Sequence, residues 1–253
     1  MIHSSTFWKQ HFEHNLTLQR VDWSAAPAIT PEEKAHVLYS LKAWQLGETS
    51  DGRHLLAAAR RHAARTDDPV YVDAVKAFIR EEQKHGSNLG RYIDAIGEHR
   101  ARSDWGDTLF RKVRYFNRSM ELWTITVIIV ESAAQVFYQA LHDATQCPLL
   151  RAICIDILLD EAHHIKFQNE RMWTIFQRKG FYARALSLLL YSLLFFGVLH
   201  AIWYGHRKAF RAGGVGHAEF MRSMYYKFFT TVKFLHRAPE VPREVPRMAL
   251  AGA

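Results

Sequence analysis

REEQKHG (80–86) and DEAHHIK (160–166) each place a glutamate three residues ahead of a histidine: Glu82 with His85, and Glu161 with His164. Each glutamate also follows directly on a second carboxylate, Glu81 or Asp160. Residues three apart on a helix point the same way, so each pair can aim a carboxylate and an imidazole at one point. A single such pair carries little weight, because helices rich in Glu and His produce it by chance. Two of them, interleaved along the chain with Glu48 and Glu131, match the ligand set that holds two metal ions inside a four-helix bundle. That set takes one Glu from each of two helices and Glu-x-x-His from each of the other two. Asp51, close behind Glu48, is an alternative for the first position.

The flanking sequence supplies the helices. Thr30-Pro31-Glu32-Glu33 has the parts of a capping box with proline in the first turn, which starts a helix near residue 31. Apolar positions at three-to-four spacing carry it to about residue 65, with Gly47 and Gly52 as weak points where it can kink. Asp68-Pro69 repeats the start signal for a second helix ending at Gly97. The run LWTITVIIVESAAQVFYQALHDA (122–144) is β-branched enough for a strand, but its length without turn residues predicts a buried helix. Pro148 opens a fourth helix that closes at Gly180. The expected organisation is an all-α protein: an N-terminal arm over 1–30, a four-helix bundle over 31–180, further helices packed on it over 181–238, and a flexible tail over 239–253.

A carboxylate in an apolar interior is costly unless it is paired or metal-bound. Glu131 sits within TVIIVESAAQVFY (126–138) and Glu161 follows ICIDILLD (153–160), so two divalent irons neutralised by four carboxylates supply the compensation. The ligand types do not separate iron from manganese or a mixed Mn/Fe pair. Metal-bound imidazoles commonly donate their outer N–H to a carboxylate. Asp160 is therefore expected to hold His85, and Glu81 to hold His164, across the bundle. His163 reads as a surface residue or a support behind the ligands, not a ligand itself, and Cys154 and Ile157 share the face of Glu161. Trp44, Gln135 and Tyr138 are candidates for the wall of a pocket on the oxygen-binding side, with ordinary core packing as the other reading.

The chain of 253 residues is 49% hydrophobic and 23% charged, enough to bury a sizeable core. Its first residues lack the apolar segment of a signal peptide, and its two cysteines, Cys147 and Cys154, read as free thiols; both fit a cytoplasmic setting. The net charge of +8 favours an acidic partner. The basic residues are dispersed over RRHAAR (60–65), RKVR (111–114) and HRKAFR (206–211) without a nucleic-acid signature, so nucleic acid is not the expected partner. Between Arg184 and Arg207 there is no Lys, Arg, Asp or Glu. The stretch 185–204 is read first as a helix packed along the bundle or in a homodimer interface, second as a membrane-surface contact, and last as a true span.

At these residues the chain resembles the ferritin-like di-iron carboxylate proteins, with EEQKHG and DEAHH similar to the motifs of the oxygenase and acyl-carrier desaturase branches. The resemblance covers about 31–180 and implies a ferritin-like four-helix bundle. It also implies that Glu82 and Glu161 bridge the metals, that Glu48 and His85 complete one site, and that Glu131 and His164 complete the other. The implied activity is an O₂-dependent di-iron hydroxylation, oxygenation or desaturation of an apolar small molecule or a substrate on an acidic acyl carrier. No flavin, nicotinamide or iron–sulfur signature is present, so electrons come from an external donor. The same six ligands also occur in ferroxidase and peroxide-scavenging relatives, which is the alternative function. The additional residues after the fourth helix argue for the oxygenase.

Overall fold

The computed structural model describes residues 2–106, 108 and 119–237, and among them it contains eight helices and no strand. They are α1 (Ser5–Asn15), α2 (Pro31–Glu48), α3 (Arg53–Thr66), α4 (Val70–Ala95), α5 (Met120–Asp143), α6 (Pro148–Gln177), α7 (Phe181–Ala212) and α8 (His217–Leu235). Helices α2, α4, α5 and α6 form the four-helix core. The local signals act where the sequence placed them. Thr30 and Glu33 close a full capping box at the start of α2, Pro148 occupies the first turn of α6, and Gly97 takes φ +72° just beyond α4.

The first expected helix is two. The chain breaks after Glu48, and Gly52 takes φ +63°, a conformation open to glycine at little cost, before α3 starts in a new direction. Gly52 also lacks a Cβ that would sit 2.5 Å from the Ile79 side chain, so the turn tucks closely against α4. Helix α3 then packs on α4 and α5 instead of extending the bundle.

The N-terminal arm contains an element the expectation did not include. Ser4 caps α1 through the Phe7 N–H, and Trp8, Phe12 and Asn15 recur along one buried face. That face lies on α4 and reaches α6, where Trp8 and Phe12 pack on Phe167. Buried Glu170 accepts hydrogen bonds from Trp8 Nε1 at 2.7 Å and from the His3 N–H at 3.0 Å, which fixes the arm.

Helices α7 and α8 lie against the bundle, α7 on α5 and α2, and α8 on α6, α7 and α5. Gly213 permits the end of α7 to meet α5, since a Cβ there would lie 2.0 Å from the Ala140 carbonyl oxygen. Only one stripe of α7 is buried, comprising Ser187, Tyr191, Phe195, Leu199 and Trp203, followed by Ala209 and Phe210. The reading of 185–204 as a helix packed along the bundle therefore holds for this stripe, while Leu186, Leu189, Leu190, Leu193 and Phe196 are exposed. The RKVR stretch and the tail lie outside the described residues.

Candidate metal centre

All six residues singled out in the sequence converge in the middle of the bundle. Glu82, Glu131 and Glu161 lie near the midpoints of α4, α5 and α6, while Glu48 is the last residue of α2. Their ligand atoms fall into two groups, each gathered within 4.8 Å: Glu82, Glu131, Glu161 and His164 in one, Glu48, Glu82 and His85 in the other. Glu82 belongs to both. Glu161 also faces both histidines, with Oε1 3.9 Å from His85 Nδ1 and Oε2 3.8 Å from His164 Nδ1. The two imidazole centroids are 5.7 Å apart.

The histidines are oriented from behind. His85 Nε2 lies 3.1 Å from Asp160 Oδ2, and His164 Nε2 lies 3.0 Å from Glu81 Oε2, with all four side chains buried. Each Nδ1 is thereby turned towards the centre. Phe78 and Phe12 meet the His164 ring edge-on and close the space around it.

Three further hydrogen bonds are absent from the sequence reading. Arg20 donates to Asp160 at 2.7 Å and to Asp156 at 2.8 Å, and Asn15 donates to Asp160 at 3.2 Å. The N-terminal arm thus braces the carboxylate that orients His85. The available signals were the Ser4 cap and the spacing of Trp8, Phe12 and Asn15; nothing local marks Arg20 as their continuation. Asp51 does not substitute for Glu48, because it is exposed and paired with Arg53 at 2.6 Å. His163 is exposed and bonds the Leu159 carbonyl.

Electrostatics make the cluster costly as a bare set of side chains. Burial, then the neighbouring Glu82, pushes the Glu48 carboxyl well above its usual range, and Glu48 also ends a helix, where the macrodipole disfavours an anion. Burial and Glu131 raise both Glu82 and Glu161. Burial opposes charge on His164, but the Glu82 carboxylate 2.7 Å from its Nδ1 and the other surrounding carboxylates raise it well above the usual imidazole value. Burial works against Asp160 as well, yet His85 and Arg20 hold it down at about 2.

Among these groups, His85 Nδ1 and both Glu161 oxygens are buried without a hydrogen-bond partner, while Glu82 Oε1 and His164 Nδ1 face each other at 2.7 Å. Buried polar atoms are normally satisfied. Three that are not, gathered with the other carboxylates and the second imidazole at one place and of the types that ligate iron and manganese, fit a pair of divalent metal ions.

A cavity of about 670 Å³ opens beside the centre, and Glu48, Glu82 and Glu131 form part of its wall. The remainder is mostly apolar, including Trp44, Phe78, Ile79, Trp123, Val127 and Val130, with α7 closing one side through Leu193, Leu194, Gly197 and Val198. Of the three pocket candidates, only Trp44 lines it. Tyr138 instead donates its hydroxyl to Glu48 Oε1 at 2.7 Å, and Gln135 accepts from Lys227. Both stand on α5, but their side chains are taken up by these partners.

The arrangement of helices has close counterparts. An R2-like ligand-binding oxidase variant with an aerobically reconstituted Mn/Fe cofactor superposes with a TM-score of 0.70 at 17% identity, covering 93% of this chain and 98% of that one. The fold is the ferritin-like helical fold of the R2-like ligand-binding oxidases. A form of that oxidase without metal cofactor gives 0.67 at 19% identity with the same coverage. An anaerobically reconstituted Mn/Fe variant gives 0.60 at 17% identity, covering 92% of this chain and 93% of that one. No protein-family model matches the chain. No curated protein matches it by sequence.

Proposed function

We propose that the protein is an oxidase that uses two metal ions to activate O₂ and oxidise an apolar organic molecule in the cavity beside them. The observation that carries this reading is the apolar cavity walled on one side by three carboxylates of the cluster. A mineralising site would offer ferrous ions a polar route, whereas this wall favours a hydrophobic substrate. The Mn/Fe cofactors of the structural counterparts support redox metals, with Fe/Fe and Mn/Fe both compatible with the donor set.

Glu48, Glu82, His85, Glu131, Glu161 and His164 would hold the two metals, with Glu82 common to both groups of ligand atoms and Glu161 facing both histidines. The metals, when bound, supply the electrons and Lewis acidity for reducing O₂. The chain's own residues do the rest. Asp160 and Glu81 keep the two Nε2–H groups occupied so that each Nδ1 lone pair points inward. Tyr138 holds one Glu48 oxygen by its hydroxyl proton, which restrains the carboxylate at the end of α2. Trp44, Phe78 and Val127 exclude water from the space where substrate would lie. Electrons for repeated turnover come from a separate reductase.

The test loads the purified chain with Fe(II), or with Mn(II) and Fe(II), exposes it to O₂ with hydrophobic candidate substrates, free or on an acyl carrier, and follows product mass. Oxygen incorporation or loss of two hydrogens in an organic product at about one per metal pair is the expected result. Accumulation of many ferric ions per chain with no organic product overturns it in favour of the ferroxidase reading.

A further inference from the structure

Helices α5 and α7 are both long and apolar enough to cross a membrane, but they differ in what covers them. The most apolar window of α5 is 67% buried, as expected of a core helix, while that of α7 is only 22% buried. Leu186, Leu189, Leu190, Leu193 and Phe196 are each between 42% and 61% exposed and fall on one side of α7, opposite the buried stripe of Tyr191, Phe195, Leu199 and Trp203. Tyr204 extends that side towards the end of the helix. The uncharged segment 185–206 is 22 residues, about 33 Å of helix. The surface continues onto α8, because Tyr225 touches Phe196 and Phe229, one turn on, is exposed. Soluble monomers rarely leave a contiguous apolar patch of this extent uncovered.

We propose that this side of α7 lies flat on an anionic lipid surface. Two observations select lipid over a second copy of the chain. Both ends of the apolar face are basic: exposed Arg178 at one end and exposed Arg207, Lys208 and Arg211 at the other, with exposed Glu219 on the first turn of α8 as an acid beside them among the described residues. In a two-fold pair these ends meet like charges, whether α7 runs parallel or antiparallel to its copy, whereas anionic headgroups complement both. The second observation is the cavity mouth. Leu193 and Gly197 are exposed on or beside the apolar face and also line the cavity that reaches Glu48, Glu82 and Glu131. A lipid layer against α7 therefore meets the entrance. The buried stripe holds α7 along the bundle, so the helix rests in the interface and does not cross it, the behaviour of an apolar face bordered by basic residues.

That the entrance admits a lipid-dissolved substrate rests on the oxidase reading above; the docking itself does not. The test is flotation of the full chain with vesicles of phosphatidylcholine alone and with added phosphatidylglycerol, comparing the natural sequence with L186E/L190E and with R207E/K208E. None of these four residues lines the cavity. The natural chain is expected to float with the anionic vesicles and less with the neutral ones, and to be released as salt rises to about 0.5 M. L186E/L190E should reduce flotation about tenfold or more, and R207E/K208E should remove the preference for phosphatidylglycerol. Helical content and bound metal per chain, measured alongside, establish that each variant is folded. The proposal is overturned if the natural chain stays at the bottom of the gradient, or if folded L186E/L190E floats as well as the natural chain. It is also overturned if light scattering shows a dimer that L186E/L190E dissociates while vesicles bind neither. Because no turnover is read, failure here leaves the oxidase reading standing, and failure of turnover leaves the docking intact.

Discussion

Asp160 shows how much of the centre depends on residues that ligate nothing. Its carboxylate receives His85 Nε2, Arg20 and Asn15 at once, which fixes the imidazole plane and keeps the carboxylate charged deep in the protein. Asp160→Asn keeps the shape and removes the charge. We expect metal affinity to fall roughly 10- to 100-fold, with the loss concentrated in the ion on the His85 side. Titration of the metal-free protein followed by metal analysis checks this, and an unchanged affinity for both ions would reject the role. At this scale the sequence was legible where chemistry is written in spacing. Glu82, His85, Glu161 and His164 announce themselves at i, i+3, and their neighbours Glu81 and Asp160 reach the opposite histidine by simple geometry of facing helices. Arg20 was not legible, because its partner is 140 residues away and no local pattern encodes that distance. Gln135 and Tyr138 misled for a related reason: helical phase says that a side chain points inward but not which polar neighbour claims it.

At the level of the element, the decisive feature is where α2 stops. Glu48 lies at its last residue and meets α4 at Gly86, directly after His85. A Cβ on Gly86 would sit 2.7 Å from Thr49 Cγ2 and 3.1 Å from the Glu48 backbone carbonyl carbon, so the two helices approach as closely as they do only because that position is glycine. Gly86→Ala is expected to cost about 1–3 kcal/mol through overpacking and to displace Glu48. Differential scanning calorimetry should show a lower Tm, and metal analysis a lower occupancy. If both are retained, the close approach has no role in building the site. Helix starts were legible because capping residues and proline act locally. The break after Glu48 was visible only as a weakness at Gly47 and Gly52, since a glycine permits a turn without dictating its direction. The direction follows from the fit of Gly52 against Ile79.

For the molecule as a whole, the buried cluster couples stability to pH and metal. The folded-state values of Glu48, Glu82, Glu161 and His164 lie above the usual ones. Groups raised in this way stabilise the fold fully at pH below their unfolded values, near 4.5 for the carboxyls and 6.5 for the imidazole, and lose that contribution as pH climbs through the folded values. Metal-free protein should therefore have a higher Tm at pH 6 than at pH 8. Asp160, held at about 2, adds the opposite dependence only in strong acid, where stability is lost as pH falls from its usual 3.8. Bound metals take the place of the protons, so loading should raise the Tm most at pH 8 and release protons measurable in weakly buffered solution. A metal-free Tm that rises steadily from pH 6 to pH 8 would contradict the raised values.

The N-terminal clamp also sets a timetable for biosynthesis. Arg20 and Asn15 leave the ribosome long before Asp160 exists, and Trp8 waits for Glu170, 162 positions later. The first segment can meet α4 early, but its bonds to Asp160 and Glu170 must wait, and the brace behind His85 closes only once α6 has emerged. Closing so large a loop costs little more than closing one half its length. Capture of metal in its final geometry is consequently a late event in the life of the nascent chain.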